Sequence, residues 1–178
     1  MTIATLTALA DLLRERNAID ERISQIIQRP MTACHAGEWI ASRIFDIKLE
    51  LSATVAAYDG KFRSGPLAGK TVNVKWYLKR EGLLDMQSSP TLDYYLVMTG
   101  PRAAPTSSKA GTRPWRIDSV YLFNSHDLLA EQQIRGIKIG IATSVREAQW
   151  SAAEIYPKAT CQSLFVSPDQ AALLRLFG

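Results

Sequence analysis

The stretch Thr71-Val72-Asn73-Val74-Lys75-Trp76-Tyr77 decides how the rest of the chain is interpreted. Successive side chains of a β-strand point to opposite faces of the sheet. One face of this stretch is therefore apolar and consists of Val72, Val74 and Trp76. The other face carries Asn73 and Lys75, and polar groups on one face of an otherwise apolar strand indicate a functional face.

Asp59 lies upstream of this strand, and the segment between them is rich in turn residues. Residues 64–69 read Ser-Gly-Pro-Leu-Ala-Gly, which predicts a hairpin. A hairpin would bring Asp59 beside Asn73 and Lys75. The sequence therefore predicts that a carboxylate, an amide and an ammonium group converge at one pair of strands.

Each of these residues also has an ordinary structural interpretation. An aspartate before Gly60 is common in turns. Asn73 and Lys75 could form the solvent face of an edge strand. Glu38, in a predicted helix, could complement the helix dipole in the first turn.

Hydrophobic periodicity and capping signals predict helices before and after a run of strands. The predicted helices span residues 2–29, 36–45, 124–135, 144–156 and 167 onward. The predicted strands span residues 59–63, 70–78, 92–99, 115–123 and 137–143, with residues 49–58 as a strand or an extended approach and 101–114 as a loop. This order indicates an α/β (α+β) fold in which helices flank a mixed central sheet.

The N-terminal helix, residues 1–30, forms a segment of its own ahead of one globular domain over residues 31–178. Its apolar residues alternate at three- and four-residue steps, interrupted at Arg16: Leu9, Leu12, Ile19, Ile23 and Ile26. Such a helix packs on its own domain or pairs with a second copy. A homodimer through this helix is therefore one of two alternatives.

Composition places the chain among ordinary globular domains. Its 178 residues are 47% hydrophobic and 21% charged, with a formal net charge of +4 and a pI of about 9.2. The cysteines, Cys34 and Cys161, are too few for a disulfide framework. The N-terminus lacks a signal peptide's apolar core, and no apolar run approaches the roughly 20 residues that span a membrane. We expect a cytoplasmic protein with no membrane partner.

Residues 65–71, Gly-Pro-Leu-Ala-Gly-Lys-Thr, superficially resemble a nucleotide-binding P-loop. That motif has four residues between its glycines, whereas this segment has three. The P-loop Lys-Thr also opens a helix, whereas this one opens a strand pattern. We therefore expect no nucleotide cofactor.

The remaining chemical groups suit a divalent metal site. Mg²⁺ prefers oxygen ligands, usually one or two carboxylates with water and phosphate. Asp59 can supply a carboxylate, Asn73 an amide oxygen and Val74 a carbonyl, and Glu38 can hold a metal-bound water. Lys75 can stabilise charge that develops on a phosphate. These residues predict a site for Mg²⁺ or Mn²⁺.

Glu38 on a helix, then Tyr58-Asp59-Gly60, then Val72-Asn73-Val74-Lys75 resembles the core of the PD-(D/E)XK nuclease superfamily, which has the restriction-endonuclease-like fold. In that superfamily a helix acid precedes an aspartate, which precedes an acid-x-Lys strand. Asn73 departs from this pattern, because an acid usually stands at that position. The resemblance implies a Mg²⁺-dependent DNA endonuclease with catalytic residues Glu38, Asp59, Asn73 and Lys75. The alternative is a catalytically inactive member that binds DNA or a protein partner.

Basic residues cluster in two blocks without acids, six in residues 60–80 and four in residues 99–117. We interpret these blocks as a surface for the phosphates of double-stranded DNA, with solvated surface charges as the alternative. The residues assigned to DNA contact, one of them an aromatic that could stack on bases, are Lys61, Arg63, Lys70, Tyr77, Lys79, Arg80, Arg102, Lys109 and Arg113.

Overall fold

The computed structural model describes residues 2–50, 58–102 and 113–178. The α-helices within these ranges are α1 (Ile3–Ile27), α2 (Ala33–Ile44), α3 (Ser125–Ile134), α4 (Glu147–Ala153) and α5 (Pro168–Arg175). The strands are β1 (Ile47–Leu49), β2 (Gly60–Phe62), β3 (Thr71–Tyr77), β4 (Leu83–Leu84), β5 (Tyr94–Thr99), β6 (Ser119–Asn124), β7 (Thr143–Ser144) and β8 (Glu154–Tyr156). None of the described helices is long and apolar enough to cross a membrane.

Six strands form an open sheet in the order β1-β2-β3-β5-β6-β8. The β3–β5 pair is parallel, with Asn73 opposite Tyr95, and the other neighbours in this sheet are antiparallel. β4 and β7 form a separate two-stranded ribbon. Parallel and antiparallel pairs in one sheet, with flanking helices, confirm the predicted mixed α/β (α+β) class.

The central strand β3 has an apolar cluster on each face. Val72, Val74 and Trp76 pack with residues of α1, α2 and α5. Tyr77 lies on the other face, where Tyr95 and Val97 of β5 pack with residues of α3 and α4. The predicted alternation is therefore confirmed. β3 lies between β2 and β5 in the sheet order, and Asn73 is buried, so the interpretation of Asn73 as part of the solvent face of an edge strand is wrong.

α2 packs closely on β3 because Gly37 lacks a side chain. A Cβ at Gly37 would lie 2.8 Å from Cβ of Trp76, too close for two carbon atoms. The helix begins at Ala33, capped by the hydroxyl of Thr32, which accepts from the N–H of His35 at 3.1 Å. Glu38 therefore lies in the second turn, and the interpretation of Glu38 as a first-turn residue is wrong.

The chain after α3 differs from prediction. Asn124 caps α3 as expected, but the strand predicted over residues 137–143 is wrong, since only the short β7 forms there. Ser144 does not cap α4, because it pairs with Leu83 in β4, and α4 begins at Glu147. α4 ends at Ala153 because the following residues pair with β6 as β8. The loop predicted over residues 101–114 and the segment 49–58 fall mostly outside the described residues.

Candidate active site

Asp59 lies immediately before β2 and is held against β3. Its backbone N–H donates to the Val72 carbonyl at 2.9 Å, and its Oδ2 accepts from the N–H of Val74 at 2.7 Å. The carboxylate thus continues the pairing of β3 beyond the start of β2. In a strand, the N–H and C=O of one residue face the same neighbour, so the Val74 carbonyl is also directed to this edge. The predicted approach of Asp59 to this segment is confirmed.

Burial raises the pKa of Asp59 to about 6. The nearby carboxylate of Glu38 adds to this rise in pKa, while the Val74 N–H and the cations Lys75 and Arg29 oppose it. The charges of Glu38 and Lys75 therefore both act on Asp59. Asp59 is mostly ionised at neutral pH and becomes protonated in mild acid.

Asn73 is buried on the opposite side of β3 from α2. The residue is 7% exposed, and its Oδ1 has no hydrogen-bond partner within the described part of the chain. A buried acceptor without a partner carries an uncompensated desolvation cost of about 1 to 3 kcal/mol. Such an oxygen atom can serve as a ligand to a cation.

Glu38 reaches the site from α2, which covers the other face of β3. Its Oε2 lies 2.5 Å from Nη1 of Arg29, and both side chains are mostly buried. Arg29 is the residue that sequence reasoning missed. It lies nine positions before Glu38, beyond Pro30 and the start of α2, so no helical spacing relates the two.

Lys75 is half-buried on the same face of β3 as Asn73. It lies close enough to Asp59 to lower the pKa of that carboxyl. No salt bridge of Lys75 occurs within the described ranges.

The donor set fits a hard divalent cation with few protein ligands. Asp59 and Glu38 offer carboxylates, Val74 offers a carbonyl, and Asn73, on the face of β3 away from α2, offers an amide oxygen without a partner among the described residues. Oxygen donors are the type that Mg²⁺ and Mn²⁺ accept. No group of three or more His, Cys, Asp or Glu side chains is placed to hold an ion among residues 2–50, 58–102 and 113–178. An ion would therefore depend on Asn73 and on water, and it would compete with Arg29 for Glu38.

Most of the predicted DNA-contacting cations have acidic partners, and all of these partners except Glu81 are distant in the sequence. The salt bridges are Arg63–Asp46 at 3.5 Å, Lys70–Asp93 at 3.1 Å, Lys79–Glu81 at 2.5 Å and Arg102–Glu147 at 3.2 Å. The basic blocks of the sequence are thus partly neutralised by ion pairs in the fold. Lys61 is exposed with its ammonium 5.6 Å from the centre of the Tyr58 ring, and Arg113 is exposed. Lys109 lies outside the described residues.

Arg80 and Tyr77 are engaged inside the protein. The Arg80 guanidinium binds both carboxylate oxygens of Glu147 and donates to the Tyr121 hydroxyl, and the Arg80 side chain is 6% exposed. The Tyr77 hydroxyl accepts from the N–H of Asp85 at 2.9 Å, and burial raises its pKa. Neither side chain is placed to contact DNA at the surface.

Asp93 holds the start of β3 against β5. Its carboxylate accepts from the N–H and hydroxyl of Thr71 at 2.9 and 3.0 Å and from the ammonium of Lys70. Burial raises the pKa of Asp93, but these contacts outweigh it and hold the pKa below its usual range. Lys70 and Thr71 therefore open a strand, as the sequence predicts, and not a phosphate-binding helix.

No protein-family model matches the chain, and no curated protein is similar to it in sequence.

Proposed function

We propose that the chain is a metal-dependent endonuclease that hydrolyses phosphodiester bonds of double-stranded DNA, as its resemblance to the PD-(D/E)XK superfamily implies. The observation that carries the proposal is the buried Oδ1 of Asn73, which has no hydrogen-bond partner among the described residues. Asn73 lies on the strand that carries Lys75 and binds Asp59. Asp59, which binds the same strand, has a carboxyl group whose pKa is raised by burial, and such groups are typical of functional sites. The proposed setting is the cytoplasm.

The element order supports the same proposal. α2 carries Glu38, β2 follows Asp59, and β3 carries Asn73 and Lys75. This is the order that the resemblance implies, namely helix acid, aspartate, then a strand with the acid position and lysine.

Each residue has a distinct proposed role. Mg²⁺ or Mn²⁺, when bound, would polarise the phosphate and lower the pKa of the attacking water. The Val74 N–H holds Oδ2 of Asp59, which leaves the second oxygen for the ion. Asn73 contributes its amide oxygen, and Lys75 stabilises negative charge on the phosphate. Water adds its hydroxyl to phosphorus and its proton passes to the leaving oxygen, so the strand is cut without any covalent enzyme intermediate.

The proposed DNA surface is centred on Lys61, Arg63 and Lys70, which surround the hairpin that leads into β3. The Arg63 and Lys70 side chains are 66% and 53% exposed, and surface ion pairs contribute only about 0 to 1 kcal/mol. A DNA phosphate can therefore replace Asp46 and Asp93 at little cost.

The second candidate function is DNA binding without cleavage. Two observations favour it. Asn73 contributes no negative charge, and Glu38 is ion-paired with Arg29. Among the four candidate ligands in the described part of the chain, Asp59 is then the one with a carboxylate outside an ion pair. A site with fewer charged ligands binds a divalent cation more weakly.

The test is a cleavage assay on supercoiled and linear DNA of varied sequence with Mg²⁺ or Mn²⁺. We expect the native chain to cut, and Asp59→Ala and Lys75→Ala to lose cutting by about a hundredfold or more while they retain DNA binding. Lys138→Ala is the matched control, because Lys138 is an exposed lysine in the segment after α3.

Binding measured by fluorescence anisotropy separates the two candidates. Binding without cutting under every ion condition supports the second candidate. Protein that neither binds nor cuts DNA would overturn both.

A further inference from the structure

No segment in the described part of the chain packs on the first half of α1. Every residue from Thr2 to Leu9 is exposed. The helix packs on the domain near its C-terminal end, through Ile23 and Ile27. Leu12 is 61% exposed and Leu9 52%. Isolated helices of this kind are marginal in water, so an apolar helix face without a partner indicates that another surface covers it.

An apolar groove of about 620 Å³ runs beside the second half of α1. Its walls are Ile19, Ile23 and Ile26 of α1 on one side and Trp39, Trp115 and Phe177 on the other. No segment within the described ranges fills it. Residues 2–50, 58–102 and 113–178 therefore leave one apolar half of α1 uncovered and an apolar groove unfilled beside the other half.

A second copy in antiparallel orientation would cover the exposed half of α1 and fill the groove at the same time. The seam positions of α1, at alternating three- and four-residue steps, are Leu9, Leu12, Arg16, Ile19, Ile23 and Ile26. In an antiparallel pair, Leu9 lies against the partner's Ile26, and Leu12 lies against the partner's Ile23. The leucines of one copy thus enter the groove of the other, and two-fold symmetry repeats the contact.

The charges on α1 select this orientation. Antiparallel pairing places Glu15 beside the partner's Arg22, twice by symmetry. Parallel pairing would place Arg16 against the partner's Arg16 and Glu15 beside the partner's Asp20, both like-charge contacts. Charge patterning at these positions sets the orientation of paired helices.

We propose that two copies of this chain form an antiparallel dimer through α1, in which Leu9 and Leu12 of each copy fill the groove between α1 and Trp39 of the other. The dimer forms whether or not the Asp59 site cleaves DNA.

The first test is the mass of the full chain in solution by sedimentation and light scattering. We expect a dimer, and we expect Leu12→Asp to raise the dimer dissociation constant by about tenfold or more. Asn17→Asp is the matched control, because Asn17 is exposed on α1 outside the seam. Circular dichroism shows whether each variant folds.

The second test fixes the orientation by disulfide formation. In a Cys34→Ser/Cys161→Ala background, the Leu9→Cys/Ile26→Cys chain should cross-link into dimers, whereas Leu9→Cys alone should not. The two Leu9 positions lie about 25 Å apart in the antiparallel pair, far beyond disulfide reach.

The third test exchanges the flanking charges. Glu15→Arg and Arg22→Glu should each weaken the dimer, and the double variant should restore it. A monomer at about 100 μM native protein, where mass action favours association, would overturn the proposal. Cross-linking of Leu9→Cys alone would overturn the antiparallel orientation.

Discussion

Nη1 of Arg29 lies 2.5 Å from Oε2 of Glu38, so a residue two positions after the end of α1 is joined directly to the acid of α2. Both side chains also act on Asp59, since Glu38 raises the pKa of Asp59 and Arg29 lowers that pKa. The end of the N-terminal helix is therefore linked electrostatically to the candidate active site. A partner or ion that separates Arg29 from Glu38 would change the electrostatic potential at Asp59 and therefore its pKa.

Removal of the Arg29 cation should raise the pKa of Asp59 above its value of about 6. Arg29→Ala removes a charge that favours the ionised carboxyl and leaves Glu38 unneutralised, so we expect a rise of roughly half a unit to one unit. Carbon-13 NMR titration of the Asp59 carboxyl measures it. Arg43→Ala is the control, because Arg43 lies over the Trp39 ring on α2. An unchanged or lower pKa in Arg29→Ala would contradict this coupling.

Replacement of Asn73 by an acid should strengthen ion binding. Asn73→Asp adds a carboxylate where a buried amide oxygen has no described partner, and we expect Mn²⁺ and Mg²⁺ affinity to increase by about tenfold or more. Isothermal titration calorimetry measures the affinity, with Asn17→Asp as a distant control. Without ions, Asn73→Asp should be less stable than the native chain, because the added carboxylate is buried and no cation offsets its repulsion with the carboxylate of Asp59. Equal ion affinity in both proteins would mean that Asn73 does not face the ion.

The raised pKa of Asp59 predicts how stability depends on pH. An acid whose folded pKa lies above its unfolded value of 3.8 binds protons more tightly when folded, so folding stability falls as pH rises from about 4 to about 6 and then levels off. The loss is on the order of 2 to 3 kcal/mol. Asp59→Asn keeps an acceptor for the Val74 N–H but does not titrate. Its stability relative to the native chain should therefore increase over this pH range, as urea unfolding at several pH values would show. A constant difference would contradict the burial of the Asp59 charge.

Arg80 and Arg102 provide a matched test of burial, since both bind Glu147. Arg80→Ala should reduce the free energy of unfolding by about 2 kcal/mol or more, because its guanidinium also packs over Tyr121 and Trp150. Arg102→Ala should change it by at most about 0.5 kcal/mol, because the Arg102 side chain is 69% exposed. Urea unfolding compares the two. Equal losses would mean that the shared ion pair, and not burial, determines the contribution.

Local sequence was sufficient for the parts of the site that lie on one hairpin. The alternation along Thr71–Tyr77 and the turn residues before it predicted that Asp59 would meet β3, and the bond from Val74 to Asp59 confirms that approach. Local sequence was misleading for Glu38, because the helix start was predicted at residue 36 and Thr32 caps it earlier. A cap is a local signal, but several residues before α2 could have supplied it.

The sequence by itself determined the mixed α/β class, the two faces of β3 and the three- and four-residue spacing of α1, because each depends on residues a few positions apart. Only the tertiary structure decided which charged side chains form ion pairs within the protein. It joined Arg29 to Glu38, buried Arg80 against Glu147 and placed Asp46 and Asp93 beside Arg63 and Lys70. Ion pairs form between residues that the fold brings together across large sequence separations, and the order of residues in a basic block carries no information about those partners.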